Sequence, residues 1–304
     1  MNSLPLKREL YIMDLCKNVN QDPSKTGGRV VRMDTGPRPV AKKIRVEPFY
    51  SIGKALIDLV NNLGAVTLFF GKAFLLIFRP KQFPEIVQQV YHIGARSSTI
   101  VLLIGLFTGM VLGLQLQYTL VKYGAEGRLG SLVALTLIRE MGPVLTAIMV
   151  TARAGSSMAA EVGILRISEQ IDALYTMRID PIRYLVSPRL AASIISFPLL
   201  TAFFDLIGIL GGCLTGVILL GGNGGTYFNG IRASVDFAEI RGGFIKSLVF
   251  AVLVSILCCF QGYFTHMRSD SHGARSVSLS TTSAVVLSCV MILIADYVVT
   301  SFLM

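Results

Sequence analysis

Charged residues are scarce in this chain of 304 residues: they make up 15% of it, whereas apolar residues make up 53%. A soluble domain usually carries about a quarter charged residues. The mean hydropathy is +0.64, and the apolar residues are gathered in long runs. This composition excludes a disordered chain, a secreted disulfide scaffold and an ordinary cytosolic enzyme, and it indicates a polytopic inner-membrane protein.

Motifs of catalysis and metal binding are missing as well. The sequence contains no GxSxG, no HExxH and no GxxxxGK[ST] phosphate-binding loop. Its five cysteines and three histidines lack metal-ligand spacing, and four cysteines lie inside apolar runs, as reduced packing residues do. We therefore expect a non-catalytic chain without a cofactor or metal of its own. A membrane-embedded enzyme acting on lipids is an alternative, but it would need a nucleophile or metal site that no motif supplies.

The net charge of +10 is concentrated outside the apolar runs, and residues 1–47 hold ten Lys and Arg against five Asp and Glu. Basic residues beside apolar runs more often face anionic lipid headgroups than nucleic acid, so we expect no nucleic-acid partner. The segment has no sustained apolar period and no apolar core followed by a cleavage site. Residues 1–47 are therefore predicted to be a flexible basic extension that stays in the cytosol.

Residues 49–78 show helical periodicity. Apolar residues recur from Ile52 to Val66 with Lys54 and Asp58 between them, and Arg79-Pro80 ends the segment. Neither half has the roughly 20 apolar residues that a membrane span requires. The pattern predicts an amphipathic helix that lies in the membrane interface or dips into it.

Five longer apolar segments follow, each long enough to cross a membrane. They are residues 97–121, 129–152, 190–220, 244–265 and 282–304. The region 226–240 between the third and fourth is a polar connector that is predicted to carry a short helix. The loop 153–189 carries five arginines and 266–281 carries two, whereas acidic residues partly balance the basic residues of the alternate loops. The N-terminus is therefore predicted to be cytoplasmic and the C-terminus periplasmic.

Two glycine series have a spacing of four residues, which places the members of each on one helix face. They are Gly105, Gly109 and Gly113 in the first segment, and Gly208, Gly212 and Gly216 in the third. Such a face lets another helix backbone approach closely. Plain helix packing and a seam that slides or opens both agree with this spacing.

Arg139 and Glu140 lie inside the second apolar segment. A charge at the bilayer centre costs about 2.5–3.5 kcal/mol, so each should face a partner, a cavity or the interface. Adjacent helical residues do not face each other, so each needs a partner elsewhere. Lys246 is a candidate counter-charge, and Asp205 and Asp296 are two further buried acids. Structural pairing and substrate contact are both open interpretations.

The polar segment between the second and third spans favours a helix at about residues 164–177. Asp180-Pro181 ends this helix. A helix at this position could receive force from a soluble partner, and an ordinary amphipathic loop is the alternative.

Five motifs occur in the sequence in the order GMVLGLQLQYTL, LxREMGPVLTA, ARAGSSMAAEVG, SEQIDAL and DPIRYLVSPR. Through them, residues 50–304 closely resemble the MlaE/YrbE family, the permease subunits of ABC transporters that work with MCE proteins.

The resemblance implies an all-α polytopic membrane fold. It comprises an N-terminal elbow helix at about 49–78, five transmembrane helices, and a cytosolic coupling helix at about 164–177 between the second and third. The chain would thus divide into the extension 1–47 and a permease domain, 48–304.

The resemblance also implies partners and a task. Family members form homodimers, bind an ABC ATPase that holds ATP and Mg, and carry an MCE protein on the periplasmic side. They move phospholipids or other hydrophobic molecules between the inner and outer membranes. A non-transporting membrane scaffold for MCE proteins is the alternative function.

Candidate site residues follow from the same match. The SEQIDAL motif gives the candidate ATPase-coupling residues, which are Glu169, Gln170, Asp172, Ala173 and Leu174. The first two spans match the part of the family that lines the lipid cavity, and Lys246 stands where the family keeps a basic residue. The candidate lipid-binding residues are therefore Leu112, Leu120, Tyr123, Arg139, Glu140 and Lys246.

Overall fold

The computed structural model describes residues 83–265 and 273–303, together with Gly64, Thr67 and Gly71. The predicted extension 1–47 lies outside the described residues, as does the predicted elbow helix 49–78 apart from those three positions. The regular structure of the described residues is entirely helical, which confirms the predicted all-α membrane class. The description that follows concerns the unit Gly71–Met304.

Five helices in the described part are long and apolar enough to cross a membrane. They are α1 (Pro84–Lys122), α2 (Glu126–Ile167), α4 (Ile182–Leu219), α6 (Phe237–Tyr263) and α7 (Ala274–Leu303). Two shorter helices lie between them, α3 (Gln170–Thr176) after α2 and α5 (Gly224–Ser234) after α4. The chain is thus a multi-pass membrane protein with the number of spans that its hydropathy predicts.

Three of these helices are far longer than a membrane crossing requires. The helices α1, α2 and α4 contain 39, 42 and 38 residues. At 1.5 Å per residue they are about 57–63 Å long, roughly twice the 30 Å of the hydrocarbon core. Their additional turns are polar, as in PEIVQQ at the start of α1, and hydropathy alone does not detect them.

The same three helices contain π-helical turns, in which hydrogen bonds join residues five apart. These turns are Tyr91–Ala95 in α1, Leu137–Met141 and Thr151–Gly155 in α2, and Ile182–Val186 and Leu214–Leu219 in α4. Turns of this type often coincide with functional positions. The turn Leu137–Met141 contains both Arg139 and Glu140.

The two glycine series pack against each other where α1 crosses α4. A Cβ atom at Gly109 would lie 1.8 Å from the carbonyl oxygen of Gly208, and one at Gly113 would lie 3.1 Å from the Cα of Gly212. The backbones therefore touch, and no side chain fits at position 109. The spacing of the glycines serves helix packing within one chain.

The helix α6 is the most enclosed span and contacts α2, α4 and α7. In its most apolar stretch 61% of the residues are buried, against 22% for α1 and 11% for α7. Both α1 and α7 therefore present apolar side chains to the outside, as membrane-spanning helices do.

Alternation of the spans defines two sides of the bundle. The start of α1, the helix α3, the end of α6 and the start of α7 lie on one side, which we call the α3 side. The connection from α1 to α2, the helix α5 and the end of α7 lie on the other, the α5 side.

Candidate functional site

Lys246 of α6 is the centre of a buried charge cluster. Only 3% of this residue is exposed. Its Nζ lies 2.7 Å from Oε2 of Glu140 and 3.1 Å from Oδ1 of Asp296, and it donates to the backbone carbonyl of Arg139 at 2.9 Å. Two of the three ammonium protons are thus donated to the carbonyl of Arg139 and to Glu140, and Asp296 completes the cluster as an ion-pair contact. We call Lys246, Glu140 and Asp296 the lysine cluster.

Pro143 explains why the carbonyl of Arg139 is available to this lysine. In a regular α-helix that carbonyl would accept a hydrogen bond from the N–H of residue 143, and proline has none. The helix also widens into its π-helical turn immediately before Gly142-Pro143. The ammonium of Lys246 thus supplies a donor at the point where α2 lacks one.

The side chain of Arg139 points to a different partner. Its Nε and Nη2 each donate to one carboxylate oxygen of Glu239, both at 2.5 Å, in a two-pronged ion pair. Glu239 stands in the first turn of α6. The guanidinium side chain is 44% exposed, so it remains accessible from outside the bundle.

The lysine cluster joins three spans. Glu140 belongs to α2, Lys246 to α6 and Asp296 to α7, and Thr300 of α7 adds a longer contact of 3.4 Å to Oε1 of Glu140. Two carboxylates surround one ammonium, so loss of the ammonium would leave two like charges together. A buried charge without its partner is strongly destabilising.

Asp205, the other predicted buried acid, lies outside this cluster. Its Oδ1 is buried and has no hydrogen-bond partner among the described residues. This oxygen lies directly against Gly142, so a larger residue there would displace the Asp205 side chain. The structure thus gives Asp205 a packing contact with α2.

The three predicted apolar lipid contacts differ in accessibility. Tyr123 follows the end of α1 and is 81% exposed, Leu112 is half-buried, and Leu120 is 9% exposed within the packed core. The most exposed apolar side chains of α1 lie on the face away from its glycines. They include Leu103, Phe107, Val111, Leu114 and Tyr118. Their spacing of three and four residues was a sequence signal for this face.

The predicted helix 164–177 is interrupted in the structure. The helix α2 ends at Ile167, and Glu169 adopts the left-handed conformation with φ of 59° before α3 begins at Gln170. Arg178, just beyond α3, has the same φ. Each left-handed residue other than glycine costs roughly 1–3 kcal/mol, so this short helix is held at a defined angle at both ends.

The predicted coupling residues lie on or near the accessible face of α3. Exposed among them are Glu169, Gln170, Asp172 and Ala173, and Leu174 is half-buried. Ile171 is fully buried and holds the helix against the bundle. Asp172 also accepts a hydrogen bond from Nη1 of Arg166 at 2.7 Å, a partner in its own chain that the motif did not predict.

Two tyrosines on the α3 side form another contact that the sequence did not reveal. The hydroxyl oxygens of Tyr175 in α3 and Tyr263, the last residue of α6, are 2.6 Å apart. The guanidinium carbon of Arg166 lies 5.8 Å from the centre of the Tyr263 ring. Residues so distant in the chain carry no spacing signal that would pair them.

A small cavity of about 200 Å³ lies on the α5 side, lined in part by Gln117, Glu126, Asn223 and Tyr227. The Tyr227 hydroxyl donates to the carbonyl of Ile209 at 3.0 Å, and burial raises the pKa of this tyrosine, so the phenol stays neutral. Pockets for drug-sized ligands usually measure about 300–1,000 Å³. This cavity is too small for a phospholipid.

Comparison with known proteins gives consistent results. The family model "Permease MlaE" matches residues 86–302, from the start of α1 to the end of α7. The chain is 40% identical over 258 residues to the intermembrane phospholipid transport system permease protein MlaE of Haemophilus influenzae, covering 83% of this chain and 96% of that protein.

Two further relatives widen the range of organisms. A probable ABC transporter permease protein of Rickettsia bellii is 40% identical over 251 residues, covering 82% of this chain and 95% of that protein. The chloroplastic protein TRIGALACTOSYLDIACYLGLYCEROL 1 of Arabidopsis thaliana is 34% identical over 239 residues, covering 78% of this chain and 67% of that protein.

Proposed function

This chain belongs to the MlaE permease family, and from that membership we propose that it is the transmembrane subunit of an ABC transporter that moves phospholipid or another hydrophobic molecule between the inner and outer membranes of a bacterium. The observation that carries the proposal is the family match over residues 86–302, which includes nearly all of the five described spans. The printed name of the Haemophilus influenzae relative, a permease of intermembrane phospholipid transport, supports the lipid substrate.

A separate ATPase, which holds ATP and Mg, supplies the energy, since the chain has no phosphate-binding loop. Its docking surface is the exposed face of α3, formed by Glu169, Gln170, Asp172 and Ala173 with the edge of Leu174. An MCE protein binds on the α5 side. These partners follow from family membership, and the exposure of α3 is compatible with them.

Two copies of the chain form the transporter, and the lipid travels between them. The apolar outer faces of α1 and α7 support this arrangement, because each is available to a second copy or to lipid. The small size of the α5-side cavity supports it as well, since a single chain offers no room there for two acyl chains.

The protein lies in the inner membrane with its α3 side in the cytoplasm, which makes the N-terminus cytoplasmic and the C-terminus periplasmic. The positive-inside rule supports this orientation. Arg166, Arg178, Arg183 and Arg189 all lie on or beside the connection that contains α3.

In this proposal a charged side chain contacts the lipid headgroup, and apolar side chains contact the acyl chains. The accessible guanidinium of Arg139 binds the anionic part of a headgroup by exchanging Glu239 for it, while Glu140 and Lys246 hold the three spans that surround the site. Leu112 and Tyr123 line the path of the acyl chains, and Leu120 supports that wall from inside. The two-pronged geometry of the Arg139–Glu239 pair supports this role, since a phosphate accepts from the same two donors.

Purification of the chain with its associated proteins tests the function directly. Native mass spectrometry would give the stoichiometry of the complex and the mass of retained lipid, and reconstitution in proteoliposomes would give lipid transport per ATP hydrolysed. Glu169→Lys should abolish ATP-dependent transport. If no ATPase associates and Glu169→Lys leaves lipid movement intact, the assignment is wrong.

A further inference from the structure

Four side chains tie α3 to the ends of two spans. Tyr175 and Tyr263 share a hydroxyl–hydroxyl hydrogen bond of 2.6 Å, which joins α3 to α6. Asp172 and Arg166 form an ion pair of 2.7 Å, which joins α3 to α2. Because Arg166 also lies over the ring of Tyr263, the four residues close a ring of contacts, which we call the α3 anchor.

The anchor adds polar contacts to the packing of buried Ile171 in positioning α3. The turns at Glu169 and Arg178 separate α3 from its neighbouring spans, so no continuous helix runs from it into the bundle. The Arg166 side chain is 7% exposed, and a buried guanidinium is costly unless it keeps its carboxylate partner. Side-chain contacts therefore hold α3 in place, with the ion pair to α2 and the tyrosine hydrogen bond to α6.

The helix α6 offers an uninterrupted path away from the anchor. It is one α-helix of 27 residues, whereas α2 contains two π-helical turns between Arg166 and the end nearest α1. Tyr263 and Lys246 lie on this single helix, about 25 Å apart along its axis. At one end α6 is bonded to α3, and farther along it holds Glu140 and Asp296.

We propose that Tyr175 and Tyr263 are positioning residues that transmit a displacement of α3 along α6 to the lysine cluster. This inference rests on the proposed function, in which a partner ATPase moves α3. A displacement of α3 moves α6 through the tyrosine hydrogen bond. The contacts of Lys246 then transmit the movement of α6 to α2 and α7. A coupling of this kind requires an energetic test, because spatial continuity alone does not establish it.

The test uses the full chain, purified with its ATPase and reconstituted in proteoliposomes. Tyr175→Phe and Tyr263→Phe each remove one hydroxyl and keep the ring, and Tyr184→Phe removes an exposed hydroxyl on the same side as a control. ATP hydrolysis and lipid transport are measured in the same vesicles, and thermal unfolding confirms that each variant is folded.

We expect both tyrosine variants to hydrolyse ATP like the native complex but to move about threefold to tenfold less lipid per ATP, the factor that one net hydrogen bond is worth. The double variant should lose less than the product of the two single losses, since both substitutions remove the shared bond. Transport equal to that of Tyr184→Phe, additive losses, or loss of ATPase binding would each overturn the linkage. A native complex that moves no lipid would instead overturn the proposed function, and the linkage with it.

Discussion

The ammonium of Lys246 donates to the backbone carbonyl of Arg139 at 2.9 Å, across the contact between α6 and α2. The carbonyl lacks an intrahelical donor because residue 143 is proline. One side chain therefore supplies a donor to the backbone of α2 while it pairs with one carboxylate of that same span and one of α7. This double use explains how a lysine can be buried inside a membrane bundle, where an unpaired charge would be costly.

Replacement of the central cation should destabilise the bundle. Lys246→Met leaves Glu140 and Asp296 facing each other, and we expect a loss of about 1–3 kcal/mol in stability, less than for a fully buried pair because the Glu140 side chain is 40% exposed. The measurement is thermal unfolding of the purified protein in detergent. Lys122→Met, at the exposed end of α1, is the control and should change little. The triple variant Lys246→Met, Glu140→Gln, Asp296→Asn should recover most of the loss, and its failure to do so would contradict the charge argument.

Removal of the accessible guanidinium should affect transport and leave assembly intact. We expect Arg139→Ala to reduce lipid transport by about tenfold to a hundredfold, because a charge-assisted contact of about 1.5–3 kcal/mol is lost. Arg139→Lys should restore it only in part, since lysine lacks the two-pronged geometry. Glu239→Gln should preserve transport, as the arginine stays available. Native mass spectrometry should show unchanged subunit composition, and a change in assembly alone would favour the scaffold function.

Substitution at the closest helix crossing should be destabilising. A Cβ atom at position 109 would lie 1.8 Å from a backbone oxygen, which cannot move aside as a side chain can. We expect Gly109→Ala to cost at least about 1–3 kcal/mol, the usual penalty of overpacking. The matched control is Gly242→Ala, where the nearest atom lies 3.9 Å from the added methyl group. It should unfold at or above the native temperature, and equal effects of the two substitutions would contradict the packing described.

Substitution of the two left-handed residues beside α3 should distinguish an effect on stability from an effect on coupling to the ATPase. Glu169→Gly and Arg178→Gly should each stay within about 1 kcal/mol of native stability, since relief of backbone strain offsets the greater freedom of glycine in the unfolded chain. Only Glu169→Gly should reduce ATP-dependent lipid transport, because Glu169 is the residue predicted to contact the ATPase. Thermal unfolding and proteoliposome transport measure the two effects. Equal transport by both variants would argue against a role for Glu169 in coupling.

The spans and the central ion pair could be predicted from the sequence for physical reasons. A membrane span needs about 20 apolar residues, and that length is visible in every one of the five segments. The high cost of a charge in the membrane predicted that Glu140 needs a counter-charge elsewhere, and Lys246 was the candidate that the structure places beside it. Glu239 was not identified as the partner of Arg139, because it belongs to a region that was interpreted as a polar connector.

Other features depend on three-dimensional contacts that leave no local pattern. Ser168 and Glu169 interrupt the predicted helix 164–177 without a glycine or proline to indicate a break. Leu120 has the same apolar character as its exposed neighbours, so its burial could not be distinguished from lipid exposure. The glycine series predicted two contact faces, but the spacing did not say that the faces belong together.

The contact between Gly109 and Gly208 also determines how α1 and α4 can move. Backbone atoms have no rotamers, so the distance between the two helices is fixed at this point, and a change of angle becomes a rotation around it. From this contact, α1 extends about 38 Å towards the α3 side and about 20 Å towards the α5 side. If α1 turned about this contact as a rigid rod, a displacement at the cytoplasmic end of the proposed orientation would reach the opposite end at about half its size and in the reverse direction.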